Sequence, residues 1–134
     1  MEKKFLDTNI KNKSITVENR IQLFNYLGKD LPLPTEIEIS ESGTCNRKCS
    51  FCPRSAPDFV DKKEFITNKL HEKLCVELSE LNYQGTIRYS GFVEPLIDKN
   101  IFNLVKMCRE YLPNSNIEMV TNGDPLNLNR LNKI

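Results

Sequence analysis

Polar and apolar residues alternate in three short stretches of this chain, and apolar residues recur at three- and four-residue steps between them. Thr35-Glu-Ile-Glu-Ile-Ser-Glu-Ser42 alternates around β-branched Ile37 and Ile39, which predicts a first strand. Thr86-Ile-Arg-Tyr-Ser90 and Ile117-Glu-Met-Val-Thr121 read as a second and a third. Leu70, Leu74, Leu78 and Leu81 line one face of a helix running to about residue 82. Thr67 or Asn68 can cap its start. Ile101, Leu104, Val105, Cys108 and Leu112 define a second helix, stopped before Pro113. Residues 126–134 start a third, with Asp124 as cap and Pro125 at the first position.

Ahead of the first strand the pattern is weaker. Residues 1–15 are polar, rich in Lys and Asn, and read as a loose arm. Val17, Ile21, Phe24 and Leu27 predict a short amphipathic helix over 16–28, ended by Gly28. Leu31-Pro-Leu-Pro34 is then held extended, because each proline disfavours helix before it. The expected division is an arm and short helix over 1–34 and an α/β unit over 35–134. Strands alternating with helices imply parallel strands joined by right-handed crossovers. In such folds the loops at the C-terminal ends of the strands carry the chemistry. Three unusual loops fall there: a cysteine-rich loop, Gly91-Phe-Val-Glu-Pro95, and Asn122-Gly-Asp124.

Composition adds limits. Apolar residues make up 39% and charged residues 28% of 134, a usual balance for a soluble domain. A net charge of +1 gives no basic excess for nucleic acid. No apolar run approaches a membrane span, and Met1-Glu-Lys-Lys-Phe-Leu-Asp7 has no signal-peptide core. The expected location is the cytoplasm, where thiols stay reduced. Five cysteines, an odd number, fit no disulfide framework.

Three of those cysteines fall within eight residues, in Cys45-Asn-Arg-Lys-Cys49-Ser-Phe-Cys52. Thiolates packed so closely repel one another unless a metal or an iron–sulfur cluster sits between them. Zinc is one reading, with Cys75 or His71 as a fourth ligand. A cluster held by three cysteines is the other. Away from that loop, Cys75 and Cys108 fall on apolar helical faces and read as core, and His71 reads as a structural or surface residue.

The Cys-x3-Cys-x2-Cys spacing after a first strand, with aromatic Phe51 before the last cysteine, resembles the radical S-adenosylmethionine superfamily. Ser90-Gly-Phe-Val-Glu-Pro-Leu96 is similar to its Gly-Glu-Pro segment, and Thr121-Asn-Gly-Asp124 to its Thr-Asn-Gly turn. The resemblance covers residues 35–134. It implies a partial (β/α) barrel, of which about three strand–helix units are present, with a short N-terminal helix before them. It implies a [4Fe–4S] cluster on Cys45, Cys49 and Cys52 with one iron left open for S-adenosylmethionine, which is cleaved reductively to a 5′-deoxyadenosyl radical. Phe51 is then expected beside the adenine, Glu94 near the methionine ammonium, and Gly91 and Pro95 shaping that turn. Thr121 and Asn122 are expected to contact co-substrate or substrate. Arg47 and Lys48 place positive charge beside an anionic cluster. A one-electron donor such as a flavodoxin or ferredoxin is the expected partner, with no nucleic acid and no membrane.

Two departures shape these expectations. Related sequences usually carry glycine immediately before the glutamate, where this chain has Val93. A position needing positive φ there would strain valine. The family's core also has six units against about three here. A truncated reading frame is the expected reason, and a second chain completing the barrel the alternative. A non-catalytic iron–sulfur fragment is the rival reading of function, followed by a zinc module.

Overall fold

The computed structural model describes residues 31–132 together with residues 14, 15, 18, 26 and 27. In chain order its elements are strands β1 (Tyr26–Leu27), β2 (Leu31–Pro32) and β3 (Glu36–Ile39), helix α1 (Asn68–Glu80), strand β4 (Thr86–Tyr89), helix α2 (Ile101–Tyr111), strand β5 (Asn116–Met119) and helix α3 (Leu128–Leu131). Single turns of 3-10 helix occur at Pro53–Ser55 and Pro95–Ile97.

β3, β4 and β5 form a parallel sheet in that order, with Ile37, Ile87 and Ile117 in register and Ile39, Tyr89 and Met119 one pleat on. These are the three strands that the alternation predicts, each joined to the next through a helix. Thr67 is the cap of α1, its hydroxyl accepting the Leu70 N–H at 3.2 Å. α2 has no capping side chain, but Asp98 immediately upstream accepts the Asn100 N–H at 2.8 Å.

Period-two alternation puts one residue set of each strand toward α1 and α2. Ile39, Ile87 and Tyr89 are buried there with Cys75 and Leu78 of α1 and Ile101, Leu104 and Cys108 of α2. The opposite face is polar. Arg88 in the central strand bonds Glu36 of β3 at 2.5 Å and Glu118 of β5 at 2.7 and 3.0 Å. Buried parallel strands usually read as continuous apolar runs because both faces are covered. Here the alternation is strict, and the second face is a charged wall.

Two local expectations are corrected. Residues 26 and 27 are not the end of a helix but strand β1, paired antiparallel with β2 through Tyr26–Pro32 and Leu27–Leu31. The prolines at 32 and 34 hold the following segment extended, and an extended segment offers a partner for strand pairing rather than for a helix. Of the earlier part of that predicted helix, Glu18 has helical backbone, as do Ser14 and Ile15. Its other residues lie outside the described residues. At the other end, α3 is capped by Asn127, which accepts the Arg130 N–H at 3.0 Å, and not by Asp124. Asp124 is held instead by Arg47 from the cysteine loop.

Candidate functional site

β3 ends at Ile39 and delivers the chain into the cysteine loop along a tightly defined path. Ser42 bridges Phe65, and the Gly43 N–H donates to the Glu64 carbonyl at 2.9 Å. A Cβ on Gly43 would lie 2.0 Å from the Lys62 carbonyl oxygen, so the backbones pass only because residue 43 is glycine. Cys45, Cys49 and Cys52 follow, all half-buried. A turn closes on the Cys52 N–H to Cys49 carbonyl bond of 2.9 Å. Phe51 is 90% exposed, an aromatic ring held at the surface beside the last cysteine.

β4 ends in the Gly91–Pro95 loop. Gly91 has φ of +111°, and a Cβ there would meet the Ser40 hydroxyl at 2.2 Å. The position that demands glycine is therefore 91. Asn82 is the one non-glycine with positive φ among the described residues, so Val93 is unstrained by that criterion. Glu94 is 1% exposed and caps the following turn by accepting the Leu96 N–H at 3.0 Å.

β5 ends in Thr121-Asn-Gly-Asp124. The Thr121 hydroxyl accepts the Gly123 N–H at 3.0 Å, and Asn122 Oδ1 accepts the Asp124 N–H at 3.0 Å. Gly123, with φ of +77°, completes this turn.

The three loops are bonded to one another. The Glu94 N–H donates to the Thr44 carbonyl at 3.0 Å, directly before Cys45. Glu94 Oε1 accepts the Thr121 hydroxyl at 2.5 Å, and Oε2 accepts the Asn122 N–H at 2.7 Å. Asn122 Nδ2 donates to Asn46 Oδ1 at 2.9 Å and lies 3.9 Å from Cys45 Sγ. Asp124 accepts Asn46 Nδ2 at 3.0 Å and Arg47 Nε at 2.7 Å, and its second oxygen accepts Arg47 Nη2. That pairing holds the Asp124 carboxyl below the usual carboxylate range and raises the Arg47 guanidinium. Every residue singled out from sequence in the second and third loops thus lies at the edge that carries the cysteines.

Sequence alone does not reveal the roles of Asn46, Arg54 and Asp124. Each acts through a partner at least seven positions away, which no local pattern records. Glu41, directly after Ser40, is a further hidden group. It is 1% exposed, and burial pushes its carboxyl up to about 7.

The chemistry of the donor set bears on which metal the loop suits. The loop offers three soft sulfurs and no imidazole or carboxylate between Cys45 and Cys52. A zinc site closed by four protein ligands needs one more, and neither candidate, His71 or Cys75, is presented to the loop. His71 is fully buried, with Nε2 2.8 Å from the Tyr89 hydroxyl and Nδ1 3.5 Å from Met107 Sδ. Burial lowers its pKa. Cys75 lies against that same ring, its Sγ 3.6 Å from Nδ1. No three His, Cys, Asp or Glu side chains among the described residues form a ready-made metal cage. The cysteine triplet therefore fits a partner that itself supplies the bridging atoms, as the inorganic sulfides of a cluster do, better than a bare ion.

A parallel α/β sheet with a three-cysteine loop bonded to two further loops at its C-terminal edge is the arrangement of a radical S-adenosylmethionine core, and the chain belongs to that superfamily. No protein-family model matches it. It is 36% identical over 95 residues to an S-adenosyl-L-methionine-dependent 2-deoxy-scyllo-inosamine dehydrogenase of Niallia circulans, covering 71% of this chain and 38% of the relative. It is 26% identical over 119 residues to a GTP 3',8-cyclase of Agrobacterium fabrum, covering 87% of this chain and 32% of that enzyme. Among solved structures it matches BtrN in complex with AdoMet and 2-DOIA, at a TM-score of 0.70 and 34% identity. That match covers 75% of this chain and 41% of BtrN. These relatives are enzymes, and the chain spans less than half the length of each.

Proposed function

We propose that this chain is the cofactor-bearing part of a radical S-adenosylmethionine enzyme, with Cys45, Cys49 and Cys52 holding a [4Fe–4S] cluster. The observation that carries the reading is the set of bonds made by Glu94, which joins all three loops through Thr44, Thr121 and Asn122. A site whose parts come from three strand ends needs such a junction to hold its geometry. When bound, cluster and S-adenosylmethionine supply a 5′-deoxyadenosyl radical on one-electron reduction.

The chain's own residues supply placement. Three cysteines on one loop leave the fourth position of a cluster to a co-substrate. Phe51, exposed beside Cys52, offers its ring face to an adenine. Glu94 uses about three of its four acceptor sites on Leu96, Thr121 and Asn122. Its negative charge favours a methionine ammonium brought close to this junction. Gly91 lets the β4 loop pass close to Ser40, and Pro95 starts the turn that Glu94 caps.

The charged wall of Glu36, Arg88 and Glu118 faces away from α1 and α2. It supports a polar small molecule as substrate, such as the aminocyclitol in the name of the Niallia circulans relative, over a lipid. The proposal includes a one-electron donor such as a flavodoxin or ferredoxin, a cytoplasmic setting without nucleic acid, and further strands, from this chain or a second one, to complete the barrel. Among the described residues no helix is long and apolar enough to cross a membrane.

Anaerobic reconstitution tests the reading. The expected result is four irons and four sulfides per chain, lost in Cys45→Ala, Cys49→Ala and Cys52→Ala, with 5′-deoxyadenosine formed on adding dithionite and S-adenosylmethionine. A loaded chain that forms none is the passive iron–sulfur fragment. Stoichiometric zinc without sulfide overturns the proposal.

A further inference from the structure

Arg54 lies two residues after Cys52 in the 3-10 turn Pro53–Ser55, yet its side chain is only 2% exposed. Its Nη1 donates to two backbone carbonyls, Phe92 at 2.9 Å and Gly43 at 3.3 Å. Its Nη2 pairs with Asp61, and its guanidinium carbon lies 5.0 Å from the centre of the Phe59 ring. Nε has no partner among the described residues. Burying a guanidinium is costly, and an apolar side chain of similar volume would fill the same space at less cost. What arginine alone supplies is a rigid fork with donors aimed in several directions. Here the fork reaches the segment entering the cysteine loop, the β4 loop, and the connection that follows the cysteines. Gly43 stands two residues before Cys45, so both ends of the cysteine loop are fastened to this one cation. Its carbonyl and that of Phe92 share the one Nη1 donor group, which ties the two backbone segments together.

We propose that Arg54 is a positioning residue for the cysteine loop, setting the path on which Cys45, Cys49 and Cys52 are presented. Its bearing on a cluster rests on the function proposed above. The loop geometry does not.

Amide hydrogen exchange on the cluster-free chain tests the geometry. In Arg54→Met, exchange across residues 43–52 and 91–94 rises at least tenfold, while α1 and α2 keep wild-type protection. Arg54→Lys, which keeps the charge and loses the fork, falls between. Anaerobic loading tests the consequence: Arg54→Met retains less than a third of the wild-type iron and sulfide, and Arg54→Lys recovers part. If neither Arg54 variant folds, Asp61→Asn decides. It releases Nη2 from a partner that is 38% exposed and raises exchange in the same two segments only. Exchange that is unchanged, or raised uniformly over the chain, overturns the proposal, as does full iron loading by a variant with a loosened loop. A wild-type chain that takes up no iron or sulfide defeats the cluster reading instead, and leaves the exchange result to decide the loop.

Discussion

The carboxylate of Glu94 accepts the backbone N–H of Asn122 at 2.7 Å, joining the loop after β4 to the loop after β5. The same carboxylate takes the Thr121 hydroxyl and the Leu96 N–H. A single buried side chain thus satisfies donors from two strand ends. Glu94→Ala leaves the buried Leu96 amide and the half-buried Asn122 amide without their acceptor and should cost about 2 kcal/mol. Glu94→Gln keeps the shape but turns an NH2 group toward a donor, and should cost roughly half as much. Urea unfolding of both variants checks the order. Equal stability of Glu94→Ala and wild type would remove Glu94 from its place as the junction.

Gly91 and Val93 give opposite expectations. Gly91→Ala introduces a side chain at φ of +111° and within 2.2 Å of the Ser40 hydroxyl. The cost is about 2–4 kcal/mol. Val93→Gly relieves no positive φ and adds freedom to the unfolded chain, so it should also destabilise, by about 1 kcal/mol. Thermal unfolding of the two single variants is the measurement. A Val93→Gly variant more stable than wild type would mean that the glycine usual in related sequences relieves strain here after all.

What the sequence discloses is what local chemistry decides. The Thr67 cap, the stop before Pro113 and the three alternating strands each depend on neighbours within a few positions, and all three strands and both long helices are where the pattern puts them. The cysteine loop is legible because its residues are adjacent. The burial of Arg54, the pairing of Asp124 with Arg47 and the sealing of His71 against Tyr89 depend on chain brought together over long separations. Asp124 illustrates the failure. Followed by Pro125, it has every local mark of a helix cap, and a cation 77 positions upstream claims it instead.

That pairing alters what the positive charges beside the cysteines can do. Lys48 stands without a salt-bridge partner among the described residues, whereas Arg47 is compensated by Asp124. With a cluster bound, Arg47→Gln leaves a negative charge at the loop and should lower the reduction potential. Asp124→Asn leaves a positive charge and should raise it. The double variant should return close to wild type, and Lys48→Gln alone should lower it. Both partners of the pair are solvent-exposed, so folding stability should scarcely move in any of the four. Potentiometric titration followed by electron paramagnetic resonance reads the shifts. Shifts of the same sign for Arg47→Gln and Asp124→Asn would exclude charge compensation.

Glu41 predicts a dependence on pH with a definite sign. Burial is the main cause that pushes its carboxyl up to about 7, with Asp98 and Glu94 adding repulsion and hydrogen bonds from its own backbone and Ser42 opposing. One of its oxygens, Oε2, has no partner among the described residues. The folded chain therefore holds a proton at Glu41 that the unfolded chain releases near pH 4.5. Between these two values the folded state binds more protons, so stability falls as pH rises. The contribution is intact below about 4.5 and fully lost above about 7. Glu41→Gln is neutral at every pH and escapes this loss. It should match wild type at pH 4 and exceed it by roughly 3 kcal/mol at pH 8. Denaturant unfolding of both proteins at pH 4, 6 and 8 gives the profile. A difference that is constant across the three, or that favours wild type at pH 8, would mean that Glu41 is ionised in the fold and has found a partner for its second oxygen.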